Sequence, residues 1–331
     1  MTEKKSLLVV KDLKKYFSVK GGPGRKKLTL KAVDGVDLEV LSGETIGLVG
    51  ESGCGKSTLG RAILSLHPAT SGSIQFEGRE IVGKNRKELR PYRQYMQIIF
   101  QDPYASLNPR KTIFETVKAP LDAYKMGTEE EKVKKTEEML RFVGMGDYQF
   151  YKLPHELSGG QRQRVVIARA MILNPRFIVC DEPVSALDVS VRSQVLNLMK
   201  AAQRKTGVSY LFISHDMSVV RYLCDKVAVM YLGQIVEFGS KEQIFHQPLH
   251  PYTQALLSAI PVPDVEREKK RINLLGDVPS PLYPPSGCRF HNRCPFAAEA
   301  CSSMEHQLTD MGKGHLAACP YAEKIAANSF R

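Results

Sequence analysis

The run GESGCGKST at 50–58 combines three kinds of group that a polyphosphate demands: glycines, a lysine and adjacent hydroxyls. It fits G-x-x-x-x-G-K-[ST], in which a flexible backbone turns its N–H groups onto phosphate oxygens. Gly50, Gly53 and Gly55 would let the chain wrap the phosphates, Lys56 would reach the terminal ones, and Ser57 would offer a hydroxyl to Mg²⁺. Ser52, Cys54 and Thr58 complete the candidate nucleotide contacts, with ATP or GTP as the expected ligand. Cys54 stands at a helix N-terminus, which should lower its thiol pKa and make it a target for alkylation that ATP blocks. Its alternative role is to fill a small slot.

A second glycine pair opens the Arg- and Ala-rich stretch LSGGQRQRVVIARA at 157–170. Glycines at the head of a helix also offer N–H groups to phosphate, yet this cradle has no lysine.

Four further side chains stand at the ends of three apolar runs. RFIVCDEP ends in two carboxylates: Asp181 is placed to hold the water shell of Mg²⁺. Glu182 points to the opposite side if strand geometry persists, and can then polarise an attacking water. The alternative is an acidic strand-end turn. YLFISHD carries His215 at a strand end, where ligands of doubly wound sheets gather. Gln101 follows the apolar run of IIFQDPYASLNP, and its amide can donate and accept at once toward Mg²⁺ or water.

These residues need an α/β frame. SLLVVKDL, KAVDGVDLEV and ETIGLVG read as strands, the last leading through the glycine loop into the amphipathic helix KSTLGRAILSL. SGSIQFEGREI returns to strand with a glycine turn. From about 105 to 165 the texture is helical; Glu130 and Glu131 precede Lys134 and Lys135 by four residues, which supports an exposed helix face. RFIVCDEP, SYLFISHD and KVAVMYLGQIVEFG then resume the strand–helix alternation, so the helical piece reads as an insertion in an α/β core. After about 245 the chain turns proline-rich and loop-heavy, too poor in periodicity to bury much core, so something else must pin it.

The 331 residues suffice for one large domain plus an appendix, and 43% hydrophobic with 25% charged residues is ordinary for a globular protein. No apolar run approaches the ~20 residues that span a bilayer, and the N-terminus is too charged for a signal peptide, so the chain is expected in the cytoplasm. The net charge of +12 suits an anionic partner or simply well-solvated faces; its basic runs, such as GRKK and REKKR, are short. Of seven cysteines, Cys180 and Cys224 read as core, whereas Cys288, Cys294, Cys301 and Cys319 crowd the tail as C-x5-C-x6-C-x17-C. In a reducing compartment such a cluster points to metal, either zinc or an iron–sulfur cluster, with His291, His306 and His315 as possible mixed ligands.

Together the motifs resemble the ATP-binding subunits of ABC transporters, over nearly the whole chain. The ordered set is the phosphate loop, Gln101, the LSGGQ signature at 157–161, Asp181 with Glu182, the SALD turn at 185–188 and His215. The resemblance implies a RecA-like P-loop NTPase core spanning 1–245, with a helical subdomain over about 105–165. It implies Glu182, His215 and Gln101 as catalytic residues, Mg²⁺ near Ser57, Gln101 and Asp181, and adenine stacked on Phe17, with Tyr16 in reserve. Two such subunits meet head to tail in this family, so each ATP lies between one phosphate loop and Ser158, Gly159 and Gly160 of its neighbour. The missing second lysine is thereby explained. HPYTQALLSAIP at 250–261 and PPSGCRFHNRCPFAAEAC resemble the tail of oligopeptide and dipeptide importer ATPases. That likeness implies a small loop-rich extension over 246–331 with Cys288, Cys294, Cys301 and Cys319 on a [4Fe–4S] cluster, zinc or unligated cysteines being the alternatives. It further implies two transmembrane permease subunits, a second ATPase subunit in a homodimer or heterodimer, and indirectly an extracytoplasmic peptide-binding protein. The protein would then sit on the cytoplasmic face of the membrane and bind no nucleic acid. A soluble ABC ATPase acting on nucleic acid, or an importer of nickel or another small solute, is the alternative.

Overall fold

The computed structural model describes residues 5–19, 27–260, 272, 274 and 276–329. The basic run REKKR and all but the last residue of GRKK lie outside the described residues. The chain divides into two compact units: Met1–Lys5, Leu41–Glu44 and Lys84–Ile213 form one, and Ser6–Val40, Thr45–Gly83 and Ser214–Arg331 the other.

In the first unit, strands Met96–Ile99, Phe177–Asp181 and Ser209–Ile213 run parallel, with Phe177–Asp181 in the middle. Both strands Phe177–Asp181 and Ser209–Ile213 are buried throughout, the pattern of parallel strands covered on two faces, which explains their unbroken apolar runs. The register sets Ile99 beside Cys180 and Cys180 beside Phe212, so the three carboxyl ends finish level. Helices Arg86–Tyr95, Ile113–Ala123, Glu129–Phe142 and Gly159–Met171 each begin with a capping box, in which the N-cap side chain and the third helical residue satisfy each other's backbone N–H. This chemistry alters one expectation. Glu131 turns back onto the Thr128 N–H, and ion pairs of its helix run instead from Glu129 to Lys132 and Lys118, from Lys132 to Asp122, and from Arg141 to Glu137 four residues before it.

In the second unit, Leu28–Leu41, Ser6–Val19, Ser71–Phe76 and Arg79–Glu80 form a four-stranded sheet in that order. Thr45–Val49 lies parallel to Lys226–Tyr231, which continues antiparallel to Gln234–Ser240. Helix Met217–Leu223 packs closely on the strand Thr45–Val49: a Cβ on Gly47 would stand 2.7 Å from Val220 and 2.9 Å from the Cys224 sulfur. Cys224 and, in the first unit, Cys180 are core residues, 1% and 0% exposed, as read from the sequence.

The chain beyond Gln247 belongs to the second unit and, against the expectation from its weak periodicity, does bury core: Tyr252 is 0% exposed, Phe290 1% and Ala317 0%. Polar contacts fasten it as well. Buried Glu237 accepts from the N–H groups of Leu249 and His250 at 2.8 Å each and pairs with His315 at 2.8 Å. Leu316–Ala317 adds a short antiparallel strand to Glu237–Phe238. No helix among the described residues is long and apolar enough to cross a membrane.

Candidate nucleotide site

The buried strand Thr45–Val49 delivers the chain into the glycine loop, and helix Lys56–Ile63 leaves it. Two of its glycines are required by close approach. A Cβ on Gly50 (φ 150°) would stand 2.1 Å from the Met230 carbonyl oxygen, and one on Gly55 (φ 109°) 2.1 Å from that of Ala32. Gly53 (φ 79°) has nothing within 4 Å of its Cβ position, so at the exposed crown of the loop only its positive φ calls for glycine. Lys56 is 5% exposed, and its ammonium donates to the carbonyls of Gly50 and Glu51 at 2.8 Å each. The cation is thus held inside the curl of the loop. Ser57 and Thr58 are half-buried and Ser52 exposed.

Cys54 departs from expectation. It is 3% exposed, and burial raises its thiol pKa by more than the neighbouring Lys56 ammonium lowers it. It fills the slot beneath Gly50, where a Cβ would meet its sulfur at 2.9 Å.

Asp181 ends its strand 2% exposed. Strand geometry does not persist to Glu182, which takes φ 47°, a left-handed conformation costing a non-glycine residue about 1–2 kcal/mol. Its N–H donates to Ile213 at 3.1 Å and its carbonyl accepts from the Ser185 hydroxyl at 3.1 Å. The carboxylate is therefore aimed by a turn rather than by alternation. Its Oε2 accepts from the Gln101 amide nitrogen at 3.0 Å, which joins two of the residues picked from the sequence. His215 is exposed, one residue before Asp216, whose carboxylate caps helix Met217–Leu223.

Ser158 is the N-cap of helix Gly159–Met171, its hydroxyl accepting from the Gln161 N–H at 3.3 Å. The glycine pair divides its labour. Gly160 is buried, and a Cβ there would stand 2.3 Å from Val191, whereas exposed Gly159 has only Leu187 at 3.7 Å. One glycine lets two helices approach; the other keeps a first-turn amide open to an approaching anion.

Phe17 is half-buried, edge-on to His67 at 5.7 Å, with the Lys15 ammonium 4.7 Å from its ring. Tyr16 is committed elsewhere: its hydroxyl donates to Asp34, and burial together with that carboxylate pushes its pKa up. Burial acts against Asp34, but hydrogen bonds from Tyr16 and Arg289 hold its carboxyl below the ordinary range.

In the tail, burial raises the thiols of Cys288, Cys294 and Cys319, the latter two to about 11. The charges of Cys288, Cys319 and Cys301 raise Cys294 further. Mutually interacting thiols are the donor chemistry of a metal–sulfur centre. Among the described residues, no group of three or more His, Cys, Asp or Glu is arranged to hold a metal ion. The histidines considered as ligands have other partners in part: His315 pairs with Glu237, and His291 Nδ1 meets the Cys288 carbonyl at 2.7 Å.

Sequence reasoning missed five residues around the loop: Asp34, Glu51, Tyr252, Arg289 and Arg293. The Glu51 N–H donates to the Tyr252 hydroxyl at 2.8 Å, and the Glu51 carboxylate accepts twice from Arg293, at 2.7 and 3.1 Å. The available signal was an acid inside the phosphate loop and two arginines four residues apart between two cysteines.

An ABC transporter family model matches residues 33–185, and the model of the oligopeptide/dipeptide transporter C-terminal region matches 236–301. The oligopeptide transport ATP-binding protein AppF of Bacillus subtilis is 48% identical over 320 residues, covering 95% of this chain and 97% of its own. OppF of Escherichia coli, likewise an oligopeptide transport ATP-binding protein, is 51% identical over 306 residues, covering 90% and 91%. Among solved structures, the dimeric ATP-binding cassette MJ0796 bound to ADP and Pi superposes with TM-score 0.64 at 27% identity, over 71% of this chain and 99% of that one. CbiO1 of Clostridium perfringens, part of the cbiONQ ABC transporter complex, superposes with TM-score 0.62 at 28% identity, over 73% and 91%. With the P-loop fold, the signature helix and the tail all matched, the chain belongs to the oligopeptide-transport ATP-binding proteins of the ABC transporter family.

Proposed function

We propose that this protein is the ATP-hydrolysing motor of a membrane importer of di- or oligopeptides, working on the cytoplasmic face of the membrane against two permease subunits. The observation that carries the reading is the Gln101–Glu182 hydrogen bond at 3.0 Å, because it poises a carboxylate and an amide sensor as one unit. Glu182 takes up proton density from the attacking water, and its turn conformation fixes the carboxylate for that role. Gln101 relinquishes its bond to Glu182 when it engages the water or the metal. Lys56 and the loop residues Gly50, Ser52, Gly53, Cys54, Gly55, Ser57 and Thr58 bind the phosphates; Phe17 stacks on adenine; His215 contacts the γ-phosphate. The Ser57 hydroxyl, Gln101 and Asp181 would hold Mg²⁺, which would supply positive charge against the phosphates.

Catalysis requires two subunits. Ser158, Gly159 and Gly160 of one close over the ATP held by the phosphate loop of the other, and loss of the γ-phosphate loosens that contact. The likeness to a dimeric cassette supports this reading. Residues 246–331 form an extension in which Cys288, Cys294, Cys301 and Cys319 would hold a [4Fe–4S] cluster as a structural centre. Support comes from the electrostatic influence that Cys288, Cys319 and Cys301 exert on Cys294.

The test is turnover as a function of subunit association, with Glu182→Gln alongside. A protein that hydrolyses ATP only when paired, and that Glu182→Gln traps as a nucleotide-bound dimer, supports the motor. Full turnover by a monomer verified by sizing would overturn it. Iron and sulfide analysis after anaerobic purification decides the cysteine centre.

A further inference from the structure

The phosphate loop is held from outside its own motif. The N–H of Glu51 donates to Tyr252, the Glu51 carboxylate is paired with Arg293, and the carbonyl of Cys54 accepts from the Gly233 N–H at 2.8 Å. Arg289 secures the Gly233 turn by donating to the Leu232 carbonyl while it pairs with Asp34. Phe290, 1% exposed, lies between the arginines in sequence and packs on Tyr231 and Tyr252 at 5.3 and 5.4 Å. Three of the residues between Cys288 and Cys294 thus reach either the loop or a group that holds it.

The electrostatics of the Glu51 pair bear on ligand binding. A carboxylate one residue into a polyphosphate loop repels the ligand. The Arg293 side chain, 8% exposed, meets it with two hydrogen bonds in the fork geometry, which cancels the charge and fixes the backbone whose amides face the phosphates. We propose that the Cys288–Cys294 segment braces the phosphate loop, with Arg293 as a positioning residue that neutralises Glu51 so that the loop accepts a polyphosphate. The proposal deepens the ATPase reading and rests on it. It also makes the cysteine-bearing segment a partner in nucleotide binding, since whatever orders that segment orders the loop.

The experiment compares the intact protein with Arg293→Gln, Glu51→Gln and the double variant, by calorimetric binding of a non-hydrolysable ATP analogue with Mg²⁺, alongside thermal unfolding. Arg293→Gln leaves the carboxylate exposed to the phosphates and is expected to weaken binding about tenfold at low salt, less at high salt. Glu51→Gln removes the repulsion with the pair and should stay within about threefold of wild type, and adding it to Arg293→Gln should recover most of the loss. A merely structural clamp would suffer equally from either single change, and that equality, or unaltered affinity in both, overturns the proposal. If Arg293→Gln does not fold, Arg293→Lys decides: retained affinity supports charge neutralisation and a tenfold loss refutes it. Absence of binding by the wild-type protein would instead overturn the nucleotide reading, and this inference with it.

Discussion

Gln101 donates its side-chain amide to Oε2 of Glu182 at 3.0 Å, across 81 residues of chain. Both residues follow parallel strands whose register brings Ile99 level with Cys180, so the pair is built by the sheet and aimed by the turn at Glu182. A carboxylate held in this way keeps its position while the amide exchanges partners.

Glu182→Gln should therefore bind ATP with near-native affinity and lose about 100-fold or more in turnover, since it removes the proposed general base and keeps the shape. Steady-state hydrolysis, with sizing in ATP to detect the trapped dimer, measures it. Gln101→Ala should lower turnover less, because it leaves the carboxylate in place.

The two signature glycines should separate in mutagenesis. Gly160→Ala drives a methyl to 2.3 Å from Val191 and should destabilise the protein by about 1–3 kcal/mol, read by denaturant unfolding. Gly159→Ala meets only Leu187 at 3.7 Å, so it should preserve stability while weakening ATP-dependent pairing.

Cys54 should resist alkylation in the folded protein. Its thiol is 3% exposed and its pKa is raised by burial, so it stays protonated near neutral pH. Peptide mapping after iodoacetamide treatment at pH 8 should show slow labelling without nucleotide and rapid labelling once urea unfolds the chain. Fast labelling of the folded protein, blocked by ATP, would restore the view of an activated thiol.

His250 gives stability a pH dependence. Burial lowers its pKa to about 4, its Nδ1 accepting from the Tyr252 N–H at 3.1 Å. The unfolded chain protonates near pH 6.5 and the folded one only near 4, so this contribution is complete above pH 6.5 and is lost as pH falls toward 4. Its size is on the order of 3 kcal/mol. His250→Asn, which offers an acceptor without the titration, should flatten the fall in melting temperature between pH 6.5 and 4. An unchanged slope would remove His250 from the account.

The chemistry legible in the sequence was local. A phosphate loop packs its glycines, lysine and hydroxyls into nine consecutive residues, and the signature glycines, the strand-end acids and the buried strands announce themselves over similarly short spans. Short-range geometry follows from residue type, so these could be read in order along the chain. The strand alternation assumed for Glu182 failed because a left-handed turn intervenes, and the dipole argument for Cys54 failed because burial outweighs it. Neither a turn held by the Ile213 carbonyl nor a degree of burial is a property of neighbours in sequence. The braces of the loop were least legible of all. Arg293 lies 242 residues from Glu51 and Arg289 255 from Asp34, and only folding brings such charges within hydrogen-bonding distance. Residue types along the chain determined which groups could bind and cleave a nucleotide. The tertiary structure alone decided which distant partners hold those groups in place, because pairing over such separations depends on the closure of the fold and not on local spacing.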